Sequence, residues 1–432
     1  MPTALLRRIA LALLAALFCL QPLLALAQSE LLDEDVTHYA VASVALKVRR
    51  QPTRDSGSTD SIPKGSYVYI LEYGDEFCKV RTSVTEGYVL TEYLEDVREY
   101  QPLAVAESAE DVDPEAVDYT FVSTPETFVE NYISHAVKNA GIYEQPNAMS
   151  RRIETVPIYD EVTVSEIHGE WCYLRYKTNV YGYAQVSSLF KWDRIDPYAG
   201  DIPGLDIWPY LAFVNRTVTI RSLEDNSELF TINPGSAICV GEMDALGRYP
   251  LPYHRTTGYV TADDIEYLLP VEDYETAQSG DLISVMTTYF AVGKSTLMYQ
   301  GRNWNIRLAS TLISGTVLEP GETYDQYEVI GPYRKSTGYH LAPIMSQTAL
   351  SGYGGGTCQV NTTFYIANIQ LPILITHRKV HAEVGIYYCK QGFDAAVGGG
   401  DINLTLVNTL PYAIRYQYFI SDGVLTCAIF RE

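Results

Sequence analysis

Short runs in which apolar and polar residues alternate, each closed by turn formers, recur three times in the first two thirds of the chain. The first copy, residues 38–97, opens with Ala45-Leu46-Lys47-Val48-Arg49-Arg50-Gln51-Pro52, turns at Ile62-Pro63-Lys64-Gly65-Ser66-Tyr67-Val68 and ends with Gly87-Tyr88-Val89. The second, residues 131–192, repeats this as Gly141-Ile142-Tyr143-Glu144-Gln145-Pro146, Val156-Pro157-Ile158-Tyr159-Asp160-Glu161-Val162 and Gly182-Tyr183-Ala184. A weaker third copy, residues 208–268, carries Val218-Thr219-Ile220-Arg221, Ile232-Asn233-Pro234-Gly235-Ser236 and Gly258-Tyr259-Val260. Alternation of period two between turn signals predicts short strands, and a closely spaced string of them predicts a small all-β barrel.

The valine-arginine opening, proline-lysine-glycine turn, aromatic-x-lysine-valine strand and glycine-tyrosine-valine end resemble bacterial SH3-like domains. In extracellular bacterial proteins such modules commonly bind cell-wall peptide or glycan, so the resemblance implies wall targeting, with a plain spacer as the alternative. If they bind, Tyr73, Phe77, Trp171 and Tyr183 are the expected contacts. Residues 98–130 form an acidic linker in which Glu107, Glu110, Asp111, Asp113, Glu115 and Asp118 crowd together. Mutual repulsion predicts an extended, solvated spacer.

From residue 282 to 432 the pattern changes. Val285 to Phe290 reads as a helix or strand-helix entry, Asn303 to Ala309 follows, and strands are expected at 402–407, 412–420 and 424–430. Between them stands Gly354-Gly355-Gly356-Thr357-Cys358-Gln359-Val360, followed by Asn361 to Ala367 with helical apolar spacing. The series Gly315-Thr316-Val317-Leu318-Glu319-Pro320-Gly321-Glu322, Ile330-Gly331-Pro332, Gly338-Tyr339, Ala342-Pro343 and the glycine-cysteine motif resembles the VanW family, named for an accessory protein of vancomycin-resistance clusters. Tyr324-Asp325-Gln326-Tyr327 and Asn361 depart from the family's usual residues. The resemblance implies a cell-envelope setting and leaves the reaction open. The expected architecture is therefore multidomain: tandem small SH3-like barrels, then an α+β domain whose cysteine-bearing helix packs on an antiparallel sheet.

Cys358 would start a helix, where unpaired N–H groups and the dipole favour a thiolate. Gly354, Gly355 and Gly356 would let a substrate approach closely. A helix-borne cysteine, then a strand-borne His381, then Asp394, is the order found in papain-like and transglutaminase-like thiol enzymes. In that reading Cys358 attacks a carbonyl, His381 moves the proton, Asp394 orients the imidazole, and backbone N–H groups with Gln359 hold the oxyanion. The alternatives are a small buried cysteine, a structural histidine and a turn-forming aspartate. A zinc site of Cys358, His377 and His381 lacks a fourth ligand, so neither metal nor cofactor is expected.

Composition refines this picture. Arg7 and Arg8 before the apolar run Ile9–Leu20, with Ala25-Leu26-Ala27 after it, predict a signal peptide over residues 1–27, hence a secreted or envelope-associated protein; an uncleaved anchor is the alternative. The formal net charge of −22, with 53 acidic against 31 basic residues, argues against nucleic acid as a partner. No later segment is long and apolar enough to span a bilayer. The 35 tyrosines suit β-rich modules with hydroxyl-bearing contact surfaces. Peptidoglycan or another wall polymer is the expected partner, with thiol-dependent acyl transfer or amide hydrolysis as candidate chemistry and a non-catalytic wall-binding scaffold as the alternative. Cys78 and Cys172 occupy matching places in two repeats and should be buried thiols, whereas Cys389 and Cys427 could be cross-linked if their strands neighbour one another.

Overall fold

A computed structural model describes residues 37–62, 67–81, 86–99, 123–292, 296–344, 351–381 and 386–432. The signal segment and the acidic cluster from Glu107 to Asp118 lie outside the described residues. What is described is mostly β, in several sheets, with three α-helices among the described residues.

The first two repeats have the same wiring. Each contributes seven strands, His38–Ala42 to Leu94–Glu99 in one and Tyr132–Ala136 to Leu189–Arg194 in the other, paired in the spatial order third, second, sixth, fifth, fourth, first, seventh. The expected closed barrel is not seen: the order is open, with the third and seventh strands at its edges. The repeated Gly-Tyr has a packing cause. A Cβ at Gly87 would lie 2.6 Å from Val48 Cγ1, at Gly182 2.6 Å from Ile142 Cγ2 and at Gly258 2.6 Å from Ile220 Cγ2, so in each copy the sixth strand passes over the second too closely for a side chain.

The third repeat keeps seven strands, from Tyr210–Val214 to Ile265–Pro270, but splits into sheets of three and four because its fourth and fifth strands do not form a ladder. The fifth strand, Arg248–Tyr253, contains Pro250 and Pro252. Prolines two apart point toward the same neighbour and bring no N–H to it. A hydrogen bond from Gly241 N to Pro250 O remains on that side.

In the C-terminal region an antiparallel sheet runs in the order Leu282–Tyr289, Val424–Arg431, Ile414–Ser421, Val317–Leu318. All eight residues of Leu282–Tyr289 are buried. That is why no alternation betrayed it as a strand: with both faces covered, polar residues have no side to mark. One face meets the third repeat, where Thr287 Oγ1 accepts from Cys239 N at 2.8 Å and Tyr289 packs against Phe230 and Tyr253.

The other face carries the helix Thr357–Ile369, in which every residue except Cys358 is buried. Most of its polar side chains find partners. Thr363 Oγ1 lies 2.7 Å from Thr288 Oγ1, Asn368 Oδ1 accepts from Tyr416 Oη at 2.8 Å, and Ser284 Oγ donates to Ala367 O at 2.7 Å. Phe364 stacks on Tyr324 at 4.9 Å and tilts against Tyr416 at 4.5 Å. A helix buried on every side, with its polar side chains largely paired and only Asn361 Oδ1 among them left without a partner, is fixed in position by the whole domain.

Candidate active site

The glycine turn aims the helix. Gly354 and Gly356 have φ of 85° and 105°, left-handed values that favour glycine. A Cβ at Gly354 would lie 2.6 Å from Tyr333 Cγ, and at Gly355 it would run into the Pro343 carbonyl. The closeness these glycines permit is therefore to the protein's own Tyr333 and Pro343, rather than to a ligand. Thr357 Oγ1 bonds back to Gly354 O at 2.8 Å, and Cys358 follows in the first helical turn.

His381 lies beyond the end of the strand Leu374–Arg378, in irregular chain rather than on a strand. Asp394 Oδ2 accepts from both His381 N, at 2.6 Å, and His381 Nδ1, at 2.8 Å. That leaves Nε2 as the ring nitrogen available to the sulfur, and the imidazole lies close enough to Cys358 for each to shift the other. The segment Asp394–Val397 is clamped onto the helix. Asn361 Nδ2 donates to Ala395 O and Ala396 O at 3.0 Å each, and Thr362 Oγ1 accepts from Ala395 N at 3.1 Å. The clamp brings Val397 N to 3.5 Å from Cys358 Sγ as a donor.

Charge follows from this geometry. Burial opposes the Cys358 thiolate, but the His381 charge, its hydrogen bond and the Val397 N–H outweigh burial and hold the thiol below its ordinary value. Burial likewise opposes the imidazolium, yet Cys358 and Asp394 push His381 up to about 10. The Asp394 carboxyl, also opposed by burial, is lowered by its bonds to His381. The two shifts, the thiol down and the imidazole up, both favour a thiolate beside an imidazolium.

The other thiols contrast with it. Among the described residues all six cysteines are free, and Cys358 alone is not buried. Burial pushes Cys172, Cys239 and Cys427 up to about 12, and Cys389 well above its ordinary value. Cys389 and Cys427 are therefore not cross-linked.

The remaining expected site residues lie elsewhere. Gln359 is buried, donating to Thr288 Oγ1 and Tyr289 O and accepting from Arg302, so its carboxamide is committed away from an oxyanion. His377 Nε2 lies 2.9 Å from Asp401 O, and no group of three or more metal-binding side chains occurs among the described residues. Tyr73 is exposed and Phe77 half-buried in the first repeat. In the second, Trp171 is half-buried against Tyr143. Tyr183, expected at the surface, is only 4% exposed and accepts from Ser123 N at 2.7 Å.

Sequence reasoning missed Val397 and Arg378. Val397 acts through its backbone, which leaves no trace in residue type, and Arg378 gave no signal beyond its closeness to His381 in the chain.

Fold and site together define a β-rich, multidomain protein whose C-terminal domain presents a helix-borne cysteine to a histidine-aspartate pair. Residues 301–430 match the family model described as VanW like protein, so the chain carries a VanW-like domain at its C-terminal end. The uncharacterised protein YoaR of Bacillus subtilis (strain 168) is 32% identical over 130 residues, 29% of this chain and 43% of that protein. Vancomycin B-type resistance protein VanW of Enterococcus faecalis (strain ATCC 700802 / V583) is 22% identical over 142 residues, 32% of this chain and 52% of that one. The chain thus spans about half the length of the curated relatives it matches. Against the structure of NlpC2 from Trichomonas vaginalis the identity is 15% and the TM-score 0.15, over 56% of this chain and 94% of that one, which is too low to inform fold or mechanism.

Proposed function

We propose that this is an exported cell-envelope protein whose VanW-like domain uses Cys358 for thiol-dependent acyl transfer or amide hydrolysis on peptidoglycan or another wall polymer. The preceding modules, read as SH3-like, would hold that polymer, with Tyr73, Phe77 and Trp171 as contacts. The observation that supports this best is the arrangement of Asp394, His381 and Cys358 at a helix start, which favours a thiolate-imidazolium pair before any substrate arrives.

In the reaction Cys358 Sγ attacks the amide carbonyl carbon, and the C=O pair moves onto oxygen, held by N–H groups of the first helical turn. Collapse breaks the C–N bond. His381 gives its proton to the leaving nitrogen, and a thioester remains. Neutral His381 then takes a proton from water, for hydrolysis, or from an incoming amine, for transfer, and the new bond to carbon expels the thiolate.

The test is incubation of purified wall with the protein and mass spectrometry of the products. Released or newly joined peptides should vanish with Cys358→Ala, whose circular dichroism should match the wild type. Activity that survives in this variant sinks the thiol mechanism. Wall binding without any product favours the non-catalytic scaffold.

A further inference from the structure

We infer that the candidate site is a composite, in which Asp193 of the second repeat is a positioning residue for the cysteine, histidine and aspartate of the C-terminal domain. The inference rests on the thiol reading above. Asp193 lies on the strand Leu189–Arg194, outside the VanW-like region, and each of its oxygens engages a different element of the site. Oδ1 accepts from the Tyr365 hydroxyl at 3.2 Å; Tyr365 follows Cys358 by seven residues, two turns along the same helix face. Oδ2 accepts from Arg378 Nη2 at 2.9 Å, three residues before His381.

Arg378 extends the connection to the third member. Its guanidinium lies 4.6 Å from the centre of the Tyr365 ring, and Nη1 donates to Gly392 O at 3.0 Å and Asp394 O at 3.4 Å. The side chain is only 3% exposed, and burying a guanidinium without a carboxylate beside it is costly. Asp193, itself 30% exposed, is the carboxylate bonded to it. One carboxylate therefore ties together the helix of Cys358, the approach to His381 and the backbone of Asp394.

Toward Cys358 and His381 the route is positional, while the charge of Arg378 also helps lower the Asp394 carboxyl. After burial, the influences on Cys358 are His381, Val397 and Asp394, and those on His381 are Cys358 and Asp394. His135 and Lys191 of the second repeat also face this cluster: burial, then Lys191, hold His135 below its ordinary value, with Glu161 and then Asp193 opposing. Arg194 from the same strand bonds Ile369 O and Leu371 O at the end of the cysteine helix.

The experiment is the pH dependence of Cys358 alkylation by iodoacetamide in the full chain, located by peptide mass spectrometry, for wild type, Asp193→Ala, Asp193→Asn and Tyr198→Phe. Tyr198→Phe removes another contact between the same parts, the hydroxyl bond to Thr409 O at 2.7 Å, and serves as control. Asp193→Ala should move the acid inflection up by about one pH unit, roughly a fivefold loss of thiolate at the wild-type midpoint, with Asp193→Asn between and Tyr198→Phe on the wild-type curve. If Asp193→Ala does not fold, Asp193→Asn decides. A folded Asp193 variant that retains the wild-type profile, or a Tyr198→Phe shift of equal size, overturns the inference while leaving the thiol reading intact. A wild type with no acid-shifted inflection at Cys358 overturns both.

Discussion

Replacing Asp394 by Asn should uncouple the thiolate from its partner while keeping the shape of the site. The native carboxylate accepts two bonds from His381, and the imidazolium, which burial alone would disfavour, reaches about 10 against an ordinary 6.5. A hydrogen bond between charged groups is worth about 1.5–3 kcal/mol. At about 1.4 kcal/mol per pH unit, loss of that charge should lower His381 by roughly 1–2 units and raise Cys358 correspondingly. Removing Asp394 also relieves its repulsion of the thiolate, but that is the weakest influence on the sulfur, and attraction by His381 is the strongest after burial. The net movement of Cys358 is upward.

The assay is the alkylation rate of Cys358 against pH. The wild-type rate should rise through an inflection below an ordinary thiol's and then stay level, since the thiolate persists when His381 loses its proton. Turnover on substrate should instead fall near pH 10, where the proton donor is lost. The stability signs follow the same shifts. His381 is raised, so its contribution is complete below 6.5 and lost as pH climbs through about 10. Cys358 is lowered, so its contribution is present above 9.0 and lost as pH falls through its folded value. An Asp394→Asn protein whose alkylation inflection coincides with the wild type's would refute the reasoning.

Two further outcomes test the scaffold. Phe364→Ala, which empties a fully buried site between Tyr324 and Tyr416, should cost about 3–5 kcal/mol in denaturant unfolding, and a loss below 1 kcal/mol would contradict the packing described. Thiol labelling of residues 28–432 should modify Cys358 alone when native and all six cysteines in denaturant, whereas only four reactive thiols in denaturant would reveal a disulfide.

How much of this was readable beforehand depended on where each feature's cause lies. The three repeats were legible because half-buried strands must alternate and because Gly87, Gly182 and Gly258 answer the same steric demand. The strand Leu282–Tyr289 was ambiguous because both its faces are covered. At the site, Cys358, His381 and Asp394 could be nominated from residue type and order, since few side chains do nucleophilic or proton-transfer chemistry. The roles first given to Gln359 and Tyr183 did not allow for where their side chains go, which tertiary packing alone decides. Asp193 was beyond reach for another reason: it joins Arg378 from 185 residues away.

The C-terminal sheet sets an order on how the domain can be made. Val424–Arg431 is an inner strand, hydrogen-bonded on one side to Leu282–Tyr289 and on the other to Ile414–Ser421. During synthesis the ribosome completes the first of these strands well over a hundred residues before its partner exists. Until residue 431 is available, Leu282–Tyr289 presents an unpaired edge and the cysteine helix lacks part of its floor, so the domain can close only after that last strand has been made.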